Sequence, residues 1–402
     1  MPGTLRSPVS RRSPKRLAAL LALLAGATVV IATALSWHFS SRVIVPDHSH
    51  WSSNVEIVAL SPHSVTLGRT RVTSKPGVYD IAWEGGSAVL GGVTDAREET
   101  VTRRLSGVRG YLLPGMEVEL GSEVHNGTPG EALGLPYRDV SIRGELGPLP
   151  AWLVPGRSKT WAIVIHGHNG DRQNGLKVVP ALHRLGLPAL LVSYRNDLGA
   201  PDSPDGHHHL GLTEWRDVDA AALYALRKGA RRLVLFGFSM GGAVAGRFMA
   251  DSPRADRVAA LVLDAPVVDW TETLEFNASE MGLPELASLP LRWAIGARAD
   301  IDWEALDYAS HLEDFELPTL LFHGSDDGLV PKSSSEELAR ALPDRVTYVE
   351  AAEADHVQAW NVAPKVYEQR LRRFLEDALP APAPQRTEGT ETKKGRPDGR
   401  PK

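Results

Sequence analysis

At 402 residues, 43% hydrophobic and 23% charged, the chain has ordinary globular composition and is long enough for a large α/β domain with a smaller companion. A formal net charge of −5, with basic residues gathered near the two ends, leaves no footprint for nucleic acid. The absence of cysteine excludes thiolate metal sites, cysteine nucleophiles and disulfides, and leaves the compartment unread from thiol chemistry.

The chain opens with a basic segment, 1–16, holding Arg6, Arg11, Arg12, Lys15 and Arg16. An uncharged apolar run from Leu17 to Leu35 follows, with Trp37 and Phe39 beyond it. About 20 such residues span a bilayer as a helix, and the basic flank stays cytoplasmic, so 17–39 is expected to be a membrane anchor with the remainder outside the cytoplasm. The rival is a signal peptide cleaved near Ala34, since Ala32-Thr33-Ala34 is an A-x-A site.

Between 43 and 148 short β-like runs alternate with Gly and Pro, from Val55–Leu60 through Met116–Leu120 to Val140–Arg143, which predicts a small antiparallel β region. Leu149–Pro155 then reads as an edge strand of the next domain. From there strands and helices alternate, which predicts a mostly parallel sheet with helices on both faces over 149–379. Its strands are expected at Trp161–His166, Pro188–Tyr194, Arg232–Phe238, Val258–Asp264, Thr319–His323 and Val346–Glu350. Thr213–Arg227, with Thr213 as N-cap, and Pro364–Leu375 have the apolar spacing of helices. Residues 380–402 have almost nothing to bury and read as a disordered tail.

Gly237-Phe238-Ser239-Met240-Gly241 is a G-x-S-x-G sequence with an apolar strand before it and a small-residue helix after it. Glycines flanking such a turn let a serine project its hydroxyl above the sheet as a nucleophile. A serine hydroxyl needs a histidine to take its proton and an acid to orient that imidazole. Downstream, the strand ending His323-Gly324 leads into Ser325-Asp326-Asp327, and the last strand leads into Asp355-His356. Asp327, Asp326 and Asp264 are the candidate acids, and His356 the candidate base. Asp205-Gly206-His207-His208-His209 invites a metal reading, but three adjacent imidazoles point apart, so it is read as a loop at the site's rim. No metal or organic cofactor is called for.

Gly237 to Gly242, His323-Gly324-x-x-Asp327-x-x-Val330-Pro331 and Asp355-His356, occurring in that order, resemble the α/β-hydrolase superfamily, in particular its monoacylglycerol lipase, carboxylesterase and serine aminopeptidase branch. The resemblance implies a Ser239, Asp327, His356 triad, since the family's acid lies four residues after the histidine of H-G-x-x-D. It also implies a pair of backbone oxyanion donors. One is Met240; the other is His168, within His166-Gly167-His168-Asn169, with Asn169 as its alternative. A cap is implied at about 265–317, where Trp270, Leu274, Met281, Leu283, Leu286, Leu289 and Trp293 could line an acyl pocket or form the cap's own core. The implied function is a serine hydrolase acting on a small-molecule ester or amide, an acyl or lipid substrate among them. A carboxylesterase or lipase-like activity leads; a peptidase or aminopeptidase, an acyltransferase and a non-catalytic hydrolase-fold scaffold are the alternatives.

Overall fold

The computed structural model describes residues 14–49, 55–308 and 317–379. The basic residues up to 13 and the expected tail at 380–402 lie outside the described residues.

Six strands, β1 (Val55–Ser61), β2 (Ser64–Gly68), β3 (Tyr79–Trp83), β4 (Gly86–Ala96), β5 (Thr100–Arg109) and β6 (Glu117–Gly121), close into a barrel in the order β1-β2-β5-β4-β3-β6. Every pairing in it is antiparallel. Period-two alternation drives Ile57, Leu67, Ile81, Leu90 and Val101 inward to form its core. The same alternation puts Arg103 inside, between Val101 and Leu105, where its guanidinium donates to the carbonyls of Gly91, Thr73, Lys75 and Gly77. A buried cation is tolerable there because its donors are paired.

The second unit is an eight-stranded sheet in the order β14-β13-β12-β11-β9-β10-β8-β7. Its strands are β7 (Arg138–Arg143), β8 (Pro148–Val154), β9 (Thr160–Ile165), β10 (Ala189–Val192), β11 (Arg232–Phe238), β12 (Val258–Asp264), β13 (Thr319–Gly324) and β14 (Val346–Ala351). The pairings from β10 through β14 are parallel, whereas β8 runs antiparallel to both β10 and β7. Alternate residues of β11 feed the two cores: Leu233 and Leu235 face one layer of helices, Val234, Phe236 and Phe238 the other.

Three expectations are corrected. The run at 140–143 belongs to this sheet rather than to the barrel, so β8 is an inner strand and β7 the edge. Ile142 packs into the same core as Leu149 and Leu153, which is what recruits it. Helix α4 (Trp215–Arg227) is not capped by the Thr213 hydroxyl; the buried Glu214 carboxylate gathers the N–H groups of His209, Gly211 and Thr213 instead.

The third concerns the expected membrane span at 17–39. Among the described residues no helix is long and apolar enough to cross a membrane. The segment lies in a 31-residue helix, α1 (Pro14–Ile44), whose last turns dock on the unit built around the eight-stranded sheet. Arg298 donates to the Trp37 carbonyl and to the hydroxyls of Ser40 and Ser41, and its guanidinium lies 5.2 Å from the Trp37 ring centroid. Ile44 is fully buried in the main core. Trp37 therefore serves a protein contact where a bilayer interface was expected.

Candidate active site

At the end of β11 the chain turns into helix α5 (Met240–Asp251) through Ser239, whose φ of 52° and ψ of −120° are strained for a residue with a side chain. Such a conformation costs about 1–3 kcal/mol and persists only where the surroundings enforce it. Here the Ser239 N–H donates to the Asp264 carbonyl, and its own carbonyl accepts from Gly242 and Val267. The flanking glycines are required sterically. A Cβ at Gly237 would lie 2.5 Å from the Gly241 carbonyl oxygen, and one at Gly241 would lie 2.4 Å from that of Ile165.

Ser239, Asp327 and His356 come together above the sheet. His356 Nε2 is 2.8 Å from Ser239 Oγ, and His356 Nδ1 is 2.9 Å from Asp327 Oδ2. Of the three candidate acids, only Asp327 meets the imidazole in this way. Asp326 is paired with Arg71 at the surface, and the buried Asp264 carboxylate accepts from the Tyr367 hydroxyl. Asp327 is held by more than His356. Its Oδ1 accepts from the N–H groups of Leu329 and Val330, and His323 Nε2 stands 3.2 Å from its Oδ2. Burial alone would raise this carboxyl, but the hydrogen bonds from His323, His356 and Val330 outweigh it and hold the group well below the usual carboxylate range. His323, expected to be a structural strand-end residue, is thus a direct partner of the acid; its place four residues before Asp327 was the available signal.

Two loops enclose the nucleophile. Gly167 lies so close that a Cβ there would come within 3.0 Å of Ser239 Cβ. Its carbonyl accepts from the Tyr194 hydroxyl, while His166 stacks on the Tyr194 ring and pairs with Asp197 at 2.7 Å. Met240 sits at the N-terminus of α5, where a backbone N–H has no helical acceptor. His168 follows Gly167, with its ring half-buried and bonded to the Val43 carbonyl.

The chain leaving α1 covers this corner, which no sequence signal announces. The His208 N–H donates to the Ile44 carbonyl, and the Asp47 N–H to Asn169 Oδ1. His208 is buried against His168, and burial together with the neighbouring imidazoles pushes it down to about 3. His207 and His209 turn the other way, toward Asp205. Among the described residues no group of three or more His, Asp or Glu side chains could hold a metal ion.

In the region expected to be a cap, α6 (Trp270–Glu280) and α7 (Ser288–Ala299) bury Trp270 and Leu274. Met281, Leu283, Leu286, Leu289 and Trp293 are exposed, so they form neither the cap's core nor an enclosed pocket.

The prolyl oligopeptidase family matches residues 203–379, and a domain of unknown function (DUF8805) matches residues 56–121, nearly the bounds of the barrel. The uncharacterized protein Rv2307c of Mycobacterium tuberculosis is 30% identical over 256 residues, covering 59% of this chain and 79% of that protein. The alpha/beta hydrolase domain-containing protein WAV2 of Arabidopsis thaliana is 25% identical over 288 residues, covering 67% and 86%. Among solved structures, the Pyrococcus furiosus esterase PF2001 is similar with a TM-score of 0.53 and 22% identity, over 64% of this chain and 96% of that one. That last likeness speaks for the fold.

Proposed function

We propose that this chain, an α/β-hydrolase by its match to the prolyl oligopeptidase family and its likeness to WAV2, is a serine esterase in which Ser239, His356 and Asp327 form the catalytic triad. The observation that carries the reading is the continuous relay from Ser239 Oγ through both ring nitrogens of His356 to Asp327, with contacts of 2.8 and 2.9 Å. Ser239 attacks the ester carbonyl as His356 Nε2 takes the hydroxyl proton, and Asp327 stabilises the imidazolium. The backbone N–H groups of Met240 and His168 are assigned as the donors to the oxyanion. His356 returns the proton to the departing alcohol. Water, deprotonated by the same imidazole, then releases the acid from the acyl-enzyme.

An ester is the favoured substrate because its carbonyl is less resonance-stabilised than an amide's and an alkoxide is a better leaving group than the anion of an amine. A triad with two N–H donors suffices for it, without a subsite for a peptide terminus. The second reading, a peptidase, draws on the match of residues 203–379 to the prolyl oligopeptidase family.

A fluorophosphonate probe is expected to label Ser239 in the wild type, and Ser239→Ala to lower ester hydrolysis by on the order of 10⁴-fold or more. A wild type that labels no better than Ser239→Ala would sink the reading. Turnover of aminoacyl amides well above that of p-nitrophenyl esters would transfer it to the peptidase.

The same proposal puts the hydrolase unit outside the cytoplasm, because a basic stretch before the apolar run at 17–35 has the pattern of an export segment. Cleavage after Ala34 would leave the docked turns from Ser36 to Ile44 attached. External protease is expected to reach the hydrolase unit in cells whose plasma membrane is intact; complete protection there would refute the placement.

A further inference from the structure

Lys75, in the barrel's β2–β3 connection, is a lysine only 6% exposed, and the chemistry described above makes no use of it. Its Nζ lies 2.8 Å from Oδ2 of Asp355, the residue before His356. The other oxygen of that carboxylate accepts from the His356 N–H at 2.8 Å and from the Gly328 N–H at 3.3 Å. Asp355 thus ties the backbone of the candidate base to the loop of the candidate acid, Gly328 being next to Asp327.

The lysine is itself held in place. Arg103 grips the carbonyls of residues 73, 75 and 77 from inside the barrel. Two residues beyond Lys75, Gly77 approaches Asn361 so closely that a Cβ would lie 2.1 Å from its carbonyl oxygen. Asn361 Nδ2 donates in return to the carbonyls of Val78 and Ser122. Burial would raise the Asp355 carboxyl, yet the hydrogen bond and charge of Lys75, with the two N–H donors, keep it below its ordinary value.

We propose that the barrel is a positioning element of the hydrolase site, with Lys75 acting through Asp355 to fix the loop that presents His356. The inference rests on the reading of His356 as general base. Small displacements of a positioned catalytic group cost up to on the order of 10²-fold in rate, which gives a contact one residue from the imidazole its leverage. Lys75 is a positioning residue; nothing in the arrangement puts its ammonium on the reacting atoms.

The test uses Lys75→Met, Lys75→Arg and Asp355→Asn in the full chain. It reads p-nitrophenyl ester hydrolysis across pH and the rate of fluorophosphonate inactivation. Lys75→Met is expected to lower kcat by about 10- to 100-fold with KM within about twofold, and Lys75→Arg to restore most of the loss.

The acid limb of kcat/KM supplies a readout that mere support would not move. Without the ammonium, the Asp355 carboxylate acts uncompensated on the imidazole and favours its protonated form, so the limb shifts to higher pH. In Asp355→Asn the ammonium is left uncompensated, and the limb shifts to lower pH. The other charged or titratable groups around this junction include Asp326 with its partner Arg71, His323, Asp327, Asp264, Lys177, Glu353, Tyr79 and Arg103, and all are kept in every variant.

Wild-type kcat and an unmoved limb in folded Lys75→Met, with only its melting temperature lowered, would overturn the inference. Should Lys75→Met fail to fold, Lys75→Gln, which retains a neutral donor, is judged by the same criteria. A wild type that does not label at all would defeat the triad reading itself. A wild type and Lys75→Met that label equally fast would defeat only the role of the barrel.

Discussion

At Asp327 a single carboxylate serves the imidazole, a second histidine and two backbone N–H groups, so its position is set by four independent partners. Asp80, inside the barrel, is the opposite case. Burial, reinforced by the nearby Glu123, pushes its carboxyl up to about 7, and its Oδ1 has no partner among the described residues. An acid raised in the folded state favours folding while it is protonated. The stability it contributes is full below pH 4, the ordinary carboxylate range, and is lost as pH rises through about 7. Asp80→Asn is expected to flatten the decline in unfolding free energy between pH 4 and 8 in urea titrations. An unchanged slope would show that Asp80 is ionised in the fold.

Among the elements, the strand-turn-helix from β11 to α5 has little tolerance for added bulk. Helix α5 approaches β9 with only hydrogen atoms between its first turn and the carbonyls of Ile165 and His166. Gly241→Ala would force a methyl group to 2.4 Å from one backbone oxygen and 2.6 Å from the other, and neither can swing aside as a side-chain tip would. Overpacking of this kind costs about 1–3 kcal/mol. Thermal unfolding should therefore shift down, with ester hydrolysis lost more steeply than stability because the same turn aims Ser239. A Gly241→Ala enzyme with wild-type melting and activity would contradict the packing described. The element was legible from its sequence because glycine spacing and a flanking apolar strand are local properties.

For the whole molecule, the barrel and the sheet have distinct cores, joined by part-buried polar contacts and by Val78 and Val89, which pack against the sheet's core. Lys75 to Asp355, Asn361 to Val78 and Ser122, and the docked end of α1 beside His168 and His208 all converge near the candidate site. The chain's ends of interest are thus not appendages: both the segment before the barrel and the barrel itself reach loops that carry site residues.

By itself the sequence determined the parallel α/β unit and the β-rich segment before it, and it singled out Ser239 and His356, while Asp327 was chosen over Asp326 and Asp264 only through the family resemblance. The elements and the serine turn are encoded by short-range patterns: period-two or helical apolar spacing and turn glycines. Only the tertiary structure decided that 138–143 joins the sheet, that the β segment closes into a barrel, and that α1 ends against α7 and Arg298. Apolar alternation states that a face is buried without stating against what. Lys75 and Asp355 lie 280 residues apart, and Val43 and His168 lie 125 apart, so those pairings exist only once the chain has folded.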